Sequence, residues 1–282
     1  MFTFVMTLQC ADQPGIVRAT TSAIVAVDGN ILENDQYTDP VTQQFCMRTR
    51  FETANGNVDV VRDTLTQELG SFRPSISLRN ESSHRRAIIM VSKFDHCLSD
   101  LLYRYEQGDL PLDITAIVSN HPDCAALAAR YNIPYYEIPV TPDTKQAAEN
   151  ELRELISSTN ADFVVLARYM QVLSEQFCAD YVGRIINIHH SFLPGFKGAR
   201  PYHQAYERGV KLIGASAHFV TSDLDEGPII EQDVVRVSHA RVASELVALG
   251  RDIERTVLAK AVRLVAEDRV AIVGKRTVIF WQ

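Results

Sequence analysis

Four short runs between residues 87 and 189 dictate what this chain can fold into. AIIMVS (87–92), DITAIVS (113–119), DFVVLA (162–167) and RIINIH (184–189) are apolar almost without alternation, and helical stretches from about 96, from about 123 and over about 144–157 separate them. A strand with one wet face alternates apolar and polar side chains, so runs that are apolar throughout belong to a sheet covered on both faces. Strands alternating with amphipathic helices then specify an α/β domain with a Rossmann-like, mostly parallel sheet. Ligands of such sheets bind beyond the carboxyl ends of the strands. A short strand near YYEIPV, a short helix near 174–181 and strands near 212–220 and 228–237 follow in the pattern. Val242, Leu246, Leu249, Ile253, Val257 and Leu264 keep helical spacing along one long helix, and VAIV-GK-RTVIF closes the chain as a hairpin.

Residues 1–80 obey a different rule. Strand 2–10, helix 15–27, strands 30–38 and 43–53, helix 57–69 and strand 73–79 read as βαββαβ. In the third strand Phe45, Met47 and Phe51 fall on one face and Arg48, Arg50 and Glu52 on the other, so one face is expected to be covered and the other wet. Val58, Val61, Leu65 and Leu69 recur at helical spacing and supply the cover. The module is therefore a small α+β, ferredoxin-like unit with helices on one side of an antiparallel sheet. NESSHRR (80–86) is polar and aperiodic, which predicts a linker at 81–86 between modules 1–80 and 87–282.

Composition narrows the function classes. Twenty-eight basic and 35 acidic residues give a net charge of −7 with no basic run, which argues against nucleic acid and anionic membrane surfaces as partners. MFTFVMTLQC lacks the basic start of a signal peptide and alternates like a half-buried strand, and no apolar stretch approaches the roughly 18–20 residues that span a bilayer. Cys10, Cys46, Cys97, Cys124 and Cys178 are odd in number and scattered, with no C-x-x-C. That pattern speaks against a disulfide framework or a thiolate zinc cluster and fits a reducing cytoplasm.

Chemistry concentrates in RIINIHHSFLPGFKGARPYHQA (184–205), where a buried strand runs into polar side chains and a Pro- and Gly-rich loop. Asn187 and His189, two apart on a strand, point to the same side, so an amide donor and an imidazole converge on one point. The same pair could also do no more than cap a strand end. GASAHFVTSDLDEGPII (214–230) ends a strand at Val220 and carries Asp223, Asp225 and Glu226 in an acidic turn before Gly227-Pro228. Acidic turns are commonly just solvated, yet this position makes Asp225 a candidate partner for His189, favouring the imidazolium and relaying a proton. His189, His190, His203 and His218 raise the question of a metal. Zinc needs about three protein ligands on one centre; His189 and His190 point to opposite sides of a strand and no helical H-x-x-x-H occurs, so no metal site is expected. His203 and His218 read as structural, with His218 supporting the pocket.

With these motifs assembled, Asn187-x-His189 followed by SFLPGFKG, together with GASAHFVTSDLDEGPII, resembles the formyltransferase family that uses 10-formyltetrahydrofolate. IVSNHPDCAALAARYNIP and LARYMQVLS are similar to two further blocks of that family, and the resemblance covers about residues 85–282. It implies Asn187, His189 and Asp225 as catalytic residues. Met170, Gln171 and Leu173 would line a folate pocket with His218, Asp223 and Leu224, although Met170 and Leu173 also fit plain core at helical spacing. Residues 1–80 resemble an ACT domain, including D-Q-P-G-I-V after the first strand, where Gly15 permits a tight loop. That likeness implies a small effector, such as an amino acid, near Asp12, Gly15 and Ile16, and a homo-oligomer.

An ACT module joined to this catalytic type is similar to the members that hydrolyse the formyl group to formate, with 10-formyltetrahydrofolate as substrate and no further cofactor. His190, where the transferases of purine synthesis have Pro, fits the same pattern. Transferases acting on glycinamide ribonucleotide need a Gly-rich loop after the first strand of the domain, because backbone N–H groups close around a phosphate. VSKFDHCLSDLL stands there instead, with no glycine, which favours water as acceptor. Formyl transfer to an amine and a non-catalytic folate or amino-acid sensor are the alternatives.

Overall fold

β1 (Phe2–Ala11) pairs antiparallel with β3 (Gln44–Thr53) on one side and β4 (Ser75–Asn80) on the other, and β2 (Asn30–Thr38) adds to β3, giving the order β2-β3-β1-β4. α1 (Ile16–Ala26) and α2 (Val58–Leu69) cover one face, where Phe4, Met6, Leu8, Met47, Phe51, Leu65 and Leu69 form the core. The side chain of Asn57 accepts from the N–H groups of Asp59 and Val60 and so starts α2. The structure, a computed structural model, describes residues 1–195 and 201–281; these divide into a unit of Met1–His84 with Asp268–Gln282 and a unit of Arg85–Glu267.

That division differs from the sequence reading at the C-terminus. The hairpin of β12 (Val270–Val273) and β13 (Arg276–Ile279) groups with the N-terminal unit, not with residues 87–267. Its Ala271, Val273 and Phe280 cluster with Cys46, and Arg276 pairs with the buried Asp39 at 2.8 Å. The supposedly wet face of β3 is therefore covered in part: Cys46 is 0% and Arg48 2% exposed, and Arg48 donates to Glu33 at 3.0 Å. Alternation along β3 shows two faces; it cannot show that residues more than two hundred positions away cover the polar one. The linker is also shorter than expected, since β4 reaches Asn80 and the next strand begins at Arg85.

In the second unit β5 (Arg85–Val91), α3 (His96–Glu106), β6 (Leu112–Ser119), α4 (Ala125–Arg130), β7 (Tyr135–Glu137), α5 (Lys145–Ser158), β8 (Phe163–Leu166), α6 (Glu175–Asp180) and β9 (Ile185–His189) follow in turn. α7 (Pro201–Glu207), β10 (Leu212–Phe219), β11 (Ile229–Arg236) and α8 (Ala243–Ala266) complete it. The sheet order is β11-β10-β9-β8-β5-β6-β7, with β5 to β9 parallel and β10 antiparallel to both of its neighbours, β9 and β11. Burial on both faces explains the unbroken apolar runs: Ile88, Ile89, Met90, Val164, Val165, Ile185 and Ile186 are all at most 2% exposed. From β5 the chain proceeds outward through β6 and β7, then returns to β8 on the other side. The loops after β5 and β8 thus diverge from a strand-order reversal, the place where an open α/β sheet forms a crevice. Among the described residues no helix is long and apolar enough to cross a membrane.

Candidate active site

A cleft of about 600 Å³ opens at those strand ends. β9 delivers Asn187, His189 and, just beyond its end, His190; the segment after β8 delivers Arg168, Met170 and Gln171; the turn after β10 delivers Asp223, Leu224 and Asp225.

Asn187 and His218 face each other across the β9–β10 ladder. Nδ1 of His218 lies 2.8 Å from the Phe219 carbonyl oxygen, which can only accept, so Nδ1 carries the hydrogen and Nε2 keeps its lone pair. That lone pair accepts from Nδ2 of Asn187 at 3.2 Å, which fixes which end of the amide is the donor. Burial pushes the His218 pKa down and keeps the ring in this neutral form. Sequence reasoning placed His218 at the pocket wall; its hold on the Asn187 amide follows only from the ladder register.

His189 is 4% exposed and donates through Nδ1 to Oδ1 of Asp225 at 3.2 Å, while its Nε2 is buried without a hydrogen-bond partner. Burial by itself would raise the Asp225 carboxyl, but the hydrogen bond from His189 and the neighbouring imidazoles outweigh that and hold the pKa below the usual range. Asp225 adopts a left-handed backbone, φ 57°, which Asp tolerates better than most residues. Gly227 lets the turn close: a Cβ there would stand 1.7 Å from the Phe219 carbonyl oxygen. These two backbone choices aim the carboxylate back at β9.

His190 differs from expectation. Its ring lies 5.1 Å from that of His189 and lines the same cleft, because β9 ends at His189 and strict alternation ends with it. Burial, helped by the nearby Arg168 charge, pushes its pKa down to about 4. His203 also lines the cleft. Residues 196–200 of the SFLPGFKG motif region lie outside the described residues.

Met170 and Gln171 line the cleft, and the Met170 N–H donates to Oγ of Ser92 at 3.0 Å, tying this segment to the end of β5. Leu173 does not line the cleft; it packs against the core cluster containing Met90, Val118 and Phe177. Its neighbour Ser174 caps α6 and also bonds Glu149, and that pull carries Leu173 inward. Asp223 and Leu224 reach the cleft. In the other unit Gly15 has φ 102°, a conformation glycine allows, while the Ile16 side chain is 2% exposed in the core, leaving only its backbone for a ligand; Asp12 is exposed.

The sequence reading missed a second polar group in the cleft. Glu254 of α8, 1% exposed, accepts from Nε2 of His96 and from the Tyr202 hydroxyl, each at 2.8 Å, and stands 3.5 Å from Nε of Arg168. Gly250, one turn earlier, leaves the room that the Tyr202 ring fills. The available signal was a carboxylate set next to Ile253 on the apolar stripe of α8. His96, Cys97 and Glu254 offer ligand atoms within 4.8 Å of one another, the spacing a cation could use. Burial holds the Cys97 thiol protonated, both Glu254 oxygens are engaged, and the Arg168 charge adjoins them, so these residues fit a closed hydrogen-bonded cluster better than a metal site.

Residues 85–262 match the family model of the formyl transferases. The formyltetrahydrofolate deformylase of Corynebacterium sp. is 48% identical over 98% of this chain and 97% of its own. The crystal structure of formyltetrahydrofolate deformylase from Burkholderia mallei is 46% identical, covers 100% of both chains and has a TM-score of 0.96. Glycinamide ribonucleotide transformylase 1 from Symbiobacterium toebii is similar over only 70% of the chain, at 30% identity and a TM-score of 0.66.

Proposed function

The chain belongs to the formyl transferase family and, within it, to the formyltetrahydrofolate deformylases, and from that premise we propose that its cleft hydrolyses 10-formyltetrahydrofolate to tetrahydrofolate and formate. The observation that carries the mechanism is the pairing, at one strand end, of an amide donor locked by His218 with an imidazole whose Nε2 has no protein partner.

Water attacks the formyl carbon, and negative charge gathers on the carbonyl oxygen. Asn187 Nδ2 and protonated Nε2 of His189 donate to that oxygen, an effect on the order of 3–4 kcal/mol for each donor in comparable sites. Asp225 holds Nδ1–H of His189, stabilises the imidazolium and relays a proton to N10 as the C–N bond breaks. Met170, Gln171 and Leu224 supply apolar wall and edge contacts for a flat heteroaromatic ring. Water itself is the nucleophile, so the reaction asks for no further cofactor. The N-terminal unit serves as an ACT-type regulatory module for a small effector in a cytoplasmic homo-oligomer.

Likeness to a glycinamide ribonucleotide transformylase favours a second reading, transfer to an amine. Against it, the loop after β5 carries no glycine, and its Phe94 and His96 at the start of α3 line the cleft, where Arg168, Tyr202 and Glu254 take up further room with His190. Incubating the protein with 10-formyltetrahydrofolate alone tests the proposal. Equal amounts of formate and tetrahydrofolate are expected; turnover only after an amine is added would support transfer, and none under either condition would support a sensor.

A further inference from the structure

Arg168 is the cleft residue that the mechanism above leaves without a task, and its setting is unusual. It follows β8 directly, its backbone is left-handed at φ 65°, and its side chain is 11% exposed. Nε and Nη1 are buried with no hydrogen-bond partner. The one nearby carboxylate, Glu254, gives both oxygens to His96 and Tyr202 and leaves Arg168 a charge at 3.5 Å, not a hydrogen bond. Leaving a buried donor unsatisfied carries its full desolvation penalty, larger still when the donor is charged. Strained backbone and unsatisfied donors persist at sites where a ligand supplies the missing partner.

The surroundings say which ligand. The guanidinium groups of Arg168 and Arg251 both lie over the Phe94 ring, 5.9 Å and 5.6 Å from its centre, and both arginines line the cleft. Arg251 has no ion-pair partner among the described residues, so this end of the cleft holds two cations against one carboxylate. Arg168, His189 and His190 line the same cleft, and the two imidazole rings lie 5.1 Å apart. The cation therefore shares the cleft of the reacting centre. Hydrolysis turns a neutral formyl group into an anion at that spot: water adds to the carbon, the C–N bond breaks with its electron pair going to N10, N10 gains a proton, and formic acid loses its own to become formate. A planar carboxylate matches the paired N–H groups of a guanidinium.

We propose that Arg168 forms a carboxylate subsite in the cleft of His189 that takes the formate released in each turnover. The inference rests on the proposed hydrolysis for the identity of its ligand. Phe94, 47% exposed against both arginines, is the side chain that yields as the anion docks. The subsite separates product from the tetrahydrofolate amine.

Titration of the full-length protein with carbon-13 formate in the presence of tetrahydrofolate, followed by NMR, tests this without turnover. Saturable binding is expected, weakened about tenfold or more in Arg168→Gln and less in Arg168→Lys, as loss of a charge-assisted bond predicts. In nitrogen-15 arginine-labelled wild-type protein one guanidinium Nε–H resonance should move with formate. Equal binding in Arg168→Gln overturns the proposal; so does the absence of saturable binding to wild type, which decides the matter even if the variant does not fold. A rise in KM for 10-formyltetrahydrofolate in Arg168→Gln with formate binding intact would assign the arginine to the folate's own carboxylates and would likewise overturn it. A protein that releases formate but binds it independently of Arg168 loses this inference alone; one that binds it through Arg168 but releases none loses the hydrolytic reading alone.

Discussion

Nδ1 of His189 lies 3.2 Å from Oδ1 of Asp225, a carboxylate that reaches β9 from a left-handed turn after β10. The contact gives the two imidazole nitrogens different work. Nδ1–H is committed to the carboxylate, and Nε2 is buried with no hydrogen-bond partner among the described residues.

Asp225→Asn should therefore lower kcat by about a hundredfold or more, the usual weight of a positioned acid–base group. The amide keeps the shape of the turn, so folate affinity should stay within a few-fold. Steady-state kinetics beside a binding titration would check both; near wild-type kcat would remove Asp225 from the mechanism.

The lock between His218 and Asn187 predicts non-additivity. Asn187→Ala should cost about a hundredfold in kcat as a lost oxyanion donor. His218→Ala frees the amide to rotate and should cost about tenfold, and the double variant should be no worse than Asn187→Ala alone, since both act through one donor. Additive losses in the double variant would show that His218 acts by another route.

Much of this was legible in the sequence. Asn187 and His189 share a side because strand period is two, and unbroken apolar runs announced the parallel sheet before any contact was known. What stayed hidden depends on distant pairing. The register that sets His218 against Asn187, the hairpin that covers Cys46 and Arg48, and the meeting of Glu254 with His96 and Tyr202 all join segments far apart in the chain. His190 escapes strand alternation for a local reason, the end of β9, and Leu173 joins the core because helical spacing does not say whether a side chain faces a cleft or a core.

Acidification should weaken the fold through His190. Burial, with the Arg168 charge, lowers its pKa from the ordinary 6.5 to about 4, so between those values the unfolded chain binds a proton that the native state refuses. Stability then falls as pH drops from about 6.5 towards 4, and the group contributes no slope above that window. Thermal melts across this range should show a smaller loss in His190→Asn than in wild type. An unchanged slope would mean that the ring is not buried in solution.

Exhaustive chelation should leave turnover intact. The three-residue group of His96, Cys97 and Glu254 is built as a hydrogen-bonded cluster around one carboxylate, with a guanidinium beside it. Glu254→Gln should instead act on stability, by about 3 kcal/mol, since it strips the charge from a buried network. Loss of activity on chelation, restored by zinc alone, would reverse that assignment.

Cutting the protein into its parts should follow contacts and not sequence order. A chain of residues 81–282 keeps β12 and β13 without Cys46 and the β3 face they cover, and it strands Asp268 without Arg79, its partner at 2.7 Å. A chain of residues 85–267 avoids both defects and should melt cooperatively, retain Asn187, His189 and Asp225, and release formate. If the N-terminal unit binds an effector at the Gly15 loop, the response must come from unequal affinity for two states of the whole chain. Screening the twenty amino acids by thermal shift and turnover should then find one that alters the full-length protein and leaves 85–267 untouched. A response retained by 85–267 would place the effector in the catalytic unit, and no response in either, with oligomers lost on truncation, would reduce the N-terminal unit to an assembly module.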